Sequence, residues 1–329
     1  MRKQAAIALV IAAVAVVALA VFASRPREER TAAVSGPLFA GLEARLDQVR
    51  TVSLVKAGGG AVTLSLTDDG WGVVERDGYP ADTSKLRRLL LDLAGAKLRE
   101  AKTKDPAKHH FLGVQDLDKP EAEGIRVRLA DAEDKPLAEL IIGKQPADGG
   151  YYVRKVGEDQ SWLVDGLSRI ETQPDRWLRQ ELLGLEEKQI REIALTPAKG
   201  KALAIGRDKP EDLFRLIAPA GAEVPEADIV ALARVPAELR LDDVRKLSEP
   251  LSQANEVVIR TFDGLALRGQ LLERDGEFLS SWRAEAGDDQ EDAKAKAAEL
   301  NRRLADRAFV IPAYQARRFQ LQPNEATKK

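Results

Sequence analysis

The chain has 329 residues, of which 32% are charged and 5% aromatic; it carries a net charge of −2, two histidines and no cysteine. With a pI near 6.0 it lacks the positive field that a nucleic-acid binder presents, so no nucleic-acid partner is expected. The missing thiols exclude disulfides, cysteine-based zinc sites and thiol nucleophiles, and leave either side of a bacterial inner membrane open.

Met1-Arg2-Lys3-Gln4 leads into an apolar run over residues 5–23, closed by Ser24-Arg25-Pro26-Arg27. The run is about 19 residues long, close to the ~20 that cross a hydrocarbon core as a helix, so a transmembrane helix is expected over residues 1–23. Ala18-Leu19-Ala20 and Val21-Phe22-Ala23 also offer small residues to a signal peptidase. A cleaved leader therefore stays open, but cleavable apolar cores span about 7–15 residues and the longer run favours a signal anchor. Arg2 and Lys3 nearly balance Arg25, Arg27 and Arg30 across the run. The basic start before a long domain favours the amino terminus inside, with the bulk of the chain periplasmic. Residues 24–36 read as a polar tether reaching on the order of 20 Å.

The body follows as two halves, residues 37–184 and 185–323, with a disordered tail expected over 324–329. Each half opens with three short runs of period-two alternation. In the first these are Val49 to Leu54, Val62 to Leu66 and Trp71 to Val74; in the second, Ile190 to Leu195, Ala202 to Ile205 and Phe214 to Ile217. Alternation broken by Gly58-Gly59-Gly60 or Asp68-Asp69-Gly70 is the pattern of hairpin-linked antiparallel strands. A proline entry comes next, Tyr79-Pro80-Ala81-Asp82 or Val224-Pro225-Glu226, before helical spacing at Leu86, Leu89, Leu90 and Leu93, or at Ile229, Val230, Leu232 and Ala233. Further strands lead into expected helices over residues 166–179 and 289–308. This pattern implies an α+β fold: an N-terminal transmembrane helix, then two similar subdomains of antiparallel meanders with helices packed on one face, by internal duplication.

Several of these segments together resemble a known family. They are Leu42 and Val49 with Val52 entering the first strand, Trp71, Gly78-Tyr79-Pro80-Ala81-Asp82, Lys102-Thr103 and Leu112-Gly113-Val114. Ile142-Gly143-Lys144, Thr261-Phe262-Asp263-Gly264-Leu265, Leu300-Asn301-x2-Leu304 and Ile311-Pro312-x-Tyr314 continue the series. In that order they resemble the bacterial family catalogued as domain of unknown function 4340, over residues 39–319. The resemblance implies a single-pass inner-membrane protein encoded beside gliding-motility-type ABC transporter components. It implies no reaction, cofactor or catalytic residue.

The residues themselves offer little chemistry. His109 and His110 are adjacent, so their side chains point to different sides and cannot easily share one ion; a polar loop after Pro106 is the expected setting. No G-x-S-x-G elbow accompanies them. Gly143-Lys144 lacks the glycine spacing and the following hydroxyl of a phosphate loop. The acidic run at residues 288–292 lacks the alternating ligands of a calcium loop and reads as a helix start. Trp71, Trp162, Trp177 and Trp282 sit in apolar patterns and are expected in the core. No catalytic residue, metal ligand or cofactor site is assigned. The expected function is a membrane-tethered extracytoplasmic binding or scaffold protein, accessory to an ABC-type transport system, with ABC transporter subunits as partners. Distant paired carboxylates leave no local signature, so a cell-envelope hydrolase is the alternative. The expected partner surface is Lys102, His109, His110, Phe111, Tyr151 and Tyr152.

Overall fold

A computed structural model describes residues 33–287 and 290–323. The strands of the first half are β1 (Ala33–Pro37), β2 (Thr51–Lys56), β3 (Ala61–Thr67), β4 (Gly70–Val73), β5 (Tyr79–Pro80), β6 (Lys97–Ala101), β7 (Ile125–Ala130), β8 (Pro136–Ile142), β9 (Tyr151–Lys155) and β10 (Ser161–Asp165). Helix α1 (Thr83–Gly95) lies between β5 and β6. The second half holds β11 (Ile190–Thr196), β12 (Leu203–Gly206), β13 (Arg215–Ala218), helix α2 (Glu226–Glu238), β14 (Asp243–Lys246), β15 (Asn255–Thr261), β16 (Leu265–Arg274), β17 (Glu277–Ala286), helix α3 (Glu291–Leu304) and β18 (Arg307–Ile311).

These strands form two antiparallel sheets. The first has ten strands in the order β1, β6, β10, β9, β8, β7, β2, β3, β4, β5; the second has eight, in the order β13, β12, β11, β15, β16, β17, β18, β14. Both sheets follow the same path. Each contains a three-strand meander, adds the later strands beyond its first member, and reaches the strand that follows its first helix, β6 or β14; in the first sheet β1 then adds outside β6, and β5 outside β4. Alternation sets which side chains face inward: Val52 and Leu54 on β2, Val62 and Leu64 on β3, and Leu265, Leu267 and Leu271 on β16 are all buried. The β16 to β17 hairpin turns through Asp275-Gly276, both at positive φ (55° and 80°), as a two-residue Asp-Gly turn requires. One apolar core runs through both halves, from Leu38 to Phe319.

The expected α+β class is corrected by this arrangement. Strand makes up 37% of the described residues and helix, 3-10 turns included, 25%, in two extended antiparallel sheets, so the body is mainly β. The helix expected over residues 166–179 is absent. Gly166 sits at φ +92°, only a 3-10 turn forms at Pro174–Trp177, and the backbone beyond it makes cross-chain hydrogen bonds that a helix would consume internally. The transmembrane helix expected over residues 1–23 lies outside the described residues, and no helix among those described is long and apolar enough to cross a membrane. Asp288 and Asp289 of the acidic run, and the tail at 324–329, also lie outside them. Of the four tryptophans, Trp177 and Trp282 are buried, while Trp71 and Trp162 are half-buried against the core.

The joining segment matters most for the site. Asp82 N donates to Trp177 O (2.7 Å) and Arg179 N to Pro80 O (2.8 Å), on the side of the first half. Leu182 N donates to Leu239 O (3.0 Å) and Leu241 N to Gln180 O (3.0 Å), on the side of the second. Residues 177–182 therefore form a strap bonded to both halves, and the buried Leu178, Leu182 and Leu183 fix it to the core. Two further contacts close the seam. Arg76 grips Asp243 with both prongs of its guanidinium (2.6 and 3.1 Å), and Tyr79 meets Phe309 edge-on, with centroids 5.8 Å apart.

Candidate functional site

Above the strap, both halves line an open cleft of about 1070 Å³. One wall comes from the β3 to β4 turn and the start of α1, where Trp71, Thr83 and Ser84 face the opening; the strap supplies Arg179 and Gln180; the far wall comes from Thr261 to Leu265 and from α3. The α1 amino terminus is already satisfied, because the Asp82 carboxylate accepts from the amides of Ser84 and Lys85 at 3.0 Å each.

The far wall is fixed by short-range polar contacts. Thr261 takes the Leu265 amide on its hydroxyl oxygen (3.0 Å) and donates to Asp263. Lys296 from α3 reaches Asp263 at 2.6 Å. The Asp263 carboxyl is accordingly held below its ordinary range, by the Lys296 and Thr261 hydrogen bonds first of all. Further along α3, Asn301 brackets the backbone of Ala284, accepting from its amide (2.9 Å) and donating to its carbonyl (2.8 Å). This sets the rotation of the last helical turn: Leu304 enters the core while Arg302 and Arg303 line the cleft.

Five arginines and Lys296 line the cleft, alongside six carboxylates. Arg307 spends its donors on the carbonyls of Arg302, Arg303 and Asp77 (3.3, 3.0 and 3.1 Å), tying the end of α3 to the first half. Arg240 reaches the Gln180 side chain at 2.5 Å. Arg303 makes only a long contact to Glu181 O, 3.5 Å, and burial pushes its pKa down, with nearby Arg179 adding to the effect. Tyr79 is fully buried in the same cluster, and its hydroxyl has no hydrogen-bond partner in the protein. Desolvation raises the pKa of this phenol, against the opposing pull of Arg303, Arg179 and Arg307.

A family model described as domain of unknown function (DUF4340) matches residues 71–257. The chain belongs to this family. No curated protein and no solved structure matches it. Within this DUF4340 chain the matched stretch contains Trp71, the start of α1 and the whole strap; the β3 to β4 turn precedes it, and the wall built by Thr261, Asp263 and α3 lies beyond it.

The six residues expected as a partner surface sit elsewhere in this DUF4340 protein, and none lines the cleft. Lys102 follows β6, pairs with Glu100 at 2.7 Å and lies 5.8 Å from the Tyr152 ring on β9. Tyr151 precedes it, half-buried. His109 to Leu112 form a single helical turn in place of the expected polar loop. His109 is buried with Nε2 2.8 Å from Asp159 O, whereas His110 stacks on Phe111 (centroids 3.8 Å), which is 67% exposed. Arg154, itself buried, anchors the segment by donating to Val114 O (2.8 Å) and pairing with Asp116. Lys144 N bonds Leu112 O (2.9 Å), so Gly143-Lys144 is a turn holding this segment. Among the described residues no group of His, Asp and Glu is placed to hold a metal ion.

The cleft arginines escape a sequence reading because Arg179, Arg240 and Arg303 are far apart in the chain. The one available signal is the Leu300-Asn301-x2-Leu304 spacing, whose two unspecified positions are Arg302 and Arg303.

Proposed function

We propose that this chain is an extracytoplasmic binding or scaffold protein that works beside an ABC-type transport assembly of the bacterial inner membrane. The open cleft at the seam of the two halves carries the reading: it is large, polar and built by elements from both, the usual place for a binding site. The apolar run at residues 5–23 supports delivery to the membrane, and membership of the family supports a place beside transporter components. The cleft carboxylate with a displaced pKa, Asp263, is displaced downward by its cationic and hydroxyl neighbours. A general acid for glycan hydrolysis needs the opposite shift, so this carboxylate favours binding over the hydrolase alternative.

The test is affinity purification of the full chain from detergent-solubilised membranes after brief crosslinking, read by mass spectrometry. The expected result is enrichment of transporter subunits over an unrelated inner-membrane control. Recovery of the protein without any transporter subunit overturns the assembly role.

A further inference from the structure

We infer that the cleft binds an anionic ligand bearing at least two phosphate or carboxylate groups, and that Arg302 and Arg303 are its principal receptors. The inference rests on the reading of the cleft as a binding site and adds the chemistry of the ligand. About half of the described arginines have a carboxylate within ion-pair distance, as in Arg126 with Glu139 or Arg268 with Glu285. Arg240, Arg302, Arg303 and Arg307, all on the cleft, have none within ion-pair distance. Arg240 and Arg307 are committed to a side-chain amide and to backbone carbonyls. Arg302 and Arg303 keep their guanidinium donors available, apart from the long Arg303 contact to Glu181 O.

The carboxylates of the cleft do not neutralise this pair. Asp82 caps α1, Asp263 is held by Lys296 and Thr261, and Glu181 lies 3.5 Å from Arg179. Asp77 and Glu299 also line the cleft, outside ion-pair distance of either arginine. A cation at the carboxyl end of α3 is favourable to the helix dipole, which accounts for basic residues in that turn. It does not account for turning Arg303 inward, where its charge loses water and feels Glu299 and Glu181 only from beyond ion-pair distance, an arrangement that costs free energy until an anion arrives. Asn301 enforces that orientation through its two bonds to Ala284.

Beside the arginines lies a second polar group without a partner, the buried hydroxyl of Tyr79, whose ring is 5.7 Å from the Arg307 guanidinium. Guanidinium forks match the paired oxygens of phosphate and carboxylate, which singles out those groups over halide or hydroxyl ligands. Size sets the multiplicity: about 1070 Å³ is at or above the ~300–1,000 Å³ of ordinary small-molecule sites, far more than one oxyanion fills. Arg302 and Arg303 line the cleft together with Arg179 and Arg240, whose partners are Glu181 and Gln180, so a second anionic group is met by exchange of those contacts.

The test is isothermal titration calorimetry of the full-length protein in detergent with inorganic pyrophosphate and, separately, citrate. The expected result is saturable binding of at least one probe, weakened by added salt and weakened about tenfold or more in Arg303→Gln and Arg302→Gln, the loss of one charge-assisted bond. Arg303→Lys keeps charge without the fork and should fall between, while Arg88→Gln on the exposed face of α1 should bind as the unaltered protein does. Binding of pyrophosphate alone, or citrate alone, identifies the preferred oxyanion. Absence of binding by both probes overturns the inference, as does binding that a folded Arg302→Gln, Arg303→Gln double variant retains. Its failure is distinct from failure of the assembly role, because crosslinked transporter subunits can be recovered whether or not these anions bind.

Discussion

Replacing Tyr79 by Phe should stabilise the protein, although it removes a polar group from a buried site. The side chain is fully buried, meets Phe309 edge-on at 5.8 Å, and carries a hydroxyl with no protein partner. Burying such a hydroxyl uncompensated costs about 1–3 kcal/mol on the scale of protein mutational data. Phenylalanine fills the same ring volume and keeps both the edge-on contact, worth ~0.5–1.5 kcal/mol, and the face presented to Arg307. The net expectation is a gain of about 1–2 kcal/mol, or an upward Tm shift of roughly 2–3 °C for a chain of this size. Urea unfolding followed by tryptophan fluorescence is the assay, with the midpoint rising and the slope against denaturant unchanged. Tyr79→Ala is the counterpart, losing ring and contacts at a cost of about 3–5 kcal/mol. If Tyr79→Phe instead lowers stability by about 1 kcal/mol or more, the hydroxyl has a partner in the folded protein and the reasoning about an uncompensated group is wrong.

Three other outcomes follow from named contacts. Gly269 faces Trp282 across the β16 to β17 ladder, and a Cβ there would lie 2.5 Å from the indole ring; Gly269→Ala should cost about 1–3 kcal/mol by overpacking and shift Trp282 emission, measured by thermal melts and fluorescence. Arg154→Leu removes the donor to Val114 O and Glu158 O. It should cost about 1–3 kcal/mol, since the half-exposed Asp116 rehydrates, and hydrogen exchange should rise over residues 109–118 ahead of the remainder. Asp263, whose pKa is depressed in the folded state, contributes stability that is complete above the unfolded carboxylate value near ~3.9 and is lost as pH falls through its lower folded value. Asp263→Asn should therefore flatten the acid side of the stability profile, and an unchanged acid slope would remove Asp263 from that account.

Local chemistry was legible in the chain wherever one residue's environment is set by its near neighbours. The alternation at Val52, Leu54, Val62 and Leu64 marks strands because period two is a property of the strand itself. The α1 start follows from Asp82, whose carboxylate reaches amides only two and three residues ahead. The segment 166–179, expected as a helix, is not one, because the partners of its backbone, Pro80 and Asp82, are about a hundred residues upstream. Spacing carries no information about that exchange. His109 was likewise read as a loop residue because the carbonyl that receives it, at Asp159, lies on a different hairpin.

The sequence by itself determined the opening meander and first helix of each half, the near-neutral charge and the membership of a family, since these depend on composition, periodicity and motif order. Only the tertiary structure decided the balance toward two extended sheets, the strap between them and the cleft above it. The physical reason is distance along the chain: Arg179, Arg240 and Arg303 acquire a common function only after folding brings them together, and whether each has a carboxylate partner depends on that proximity alone.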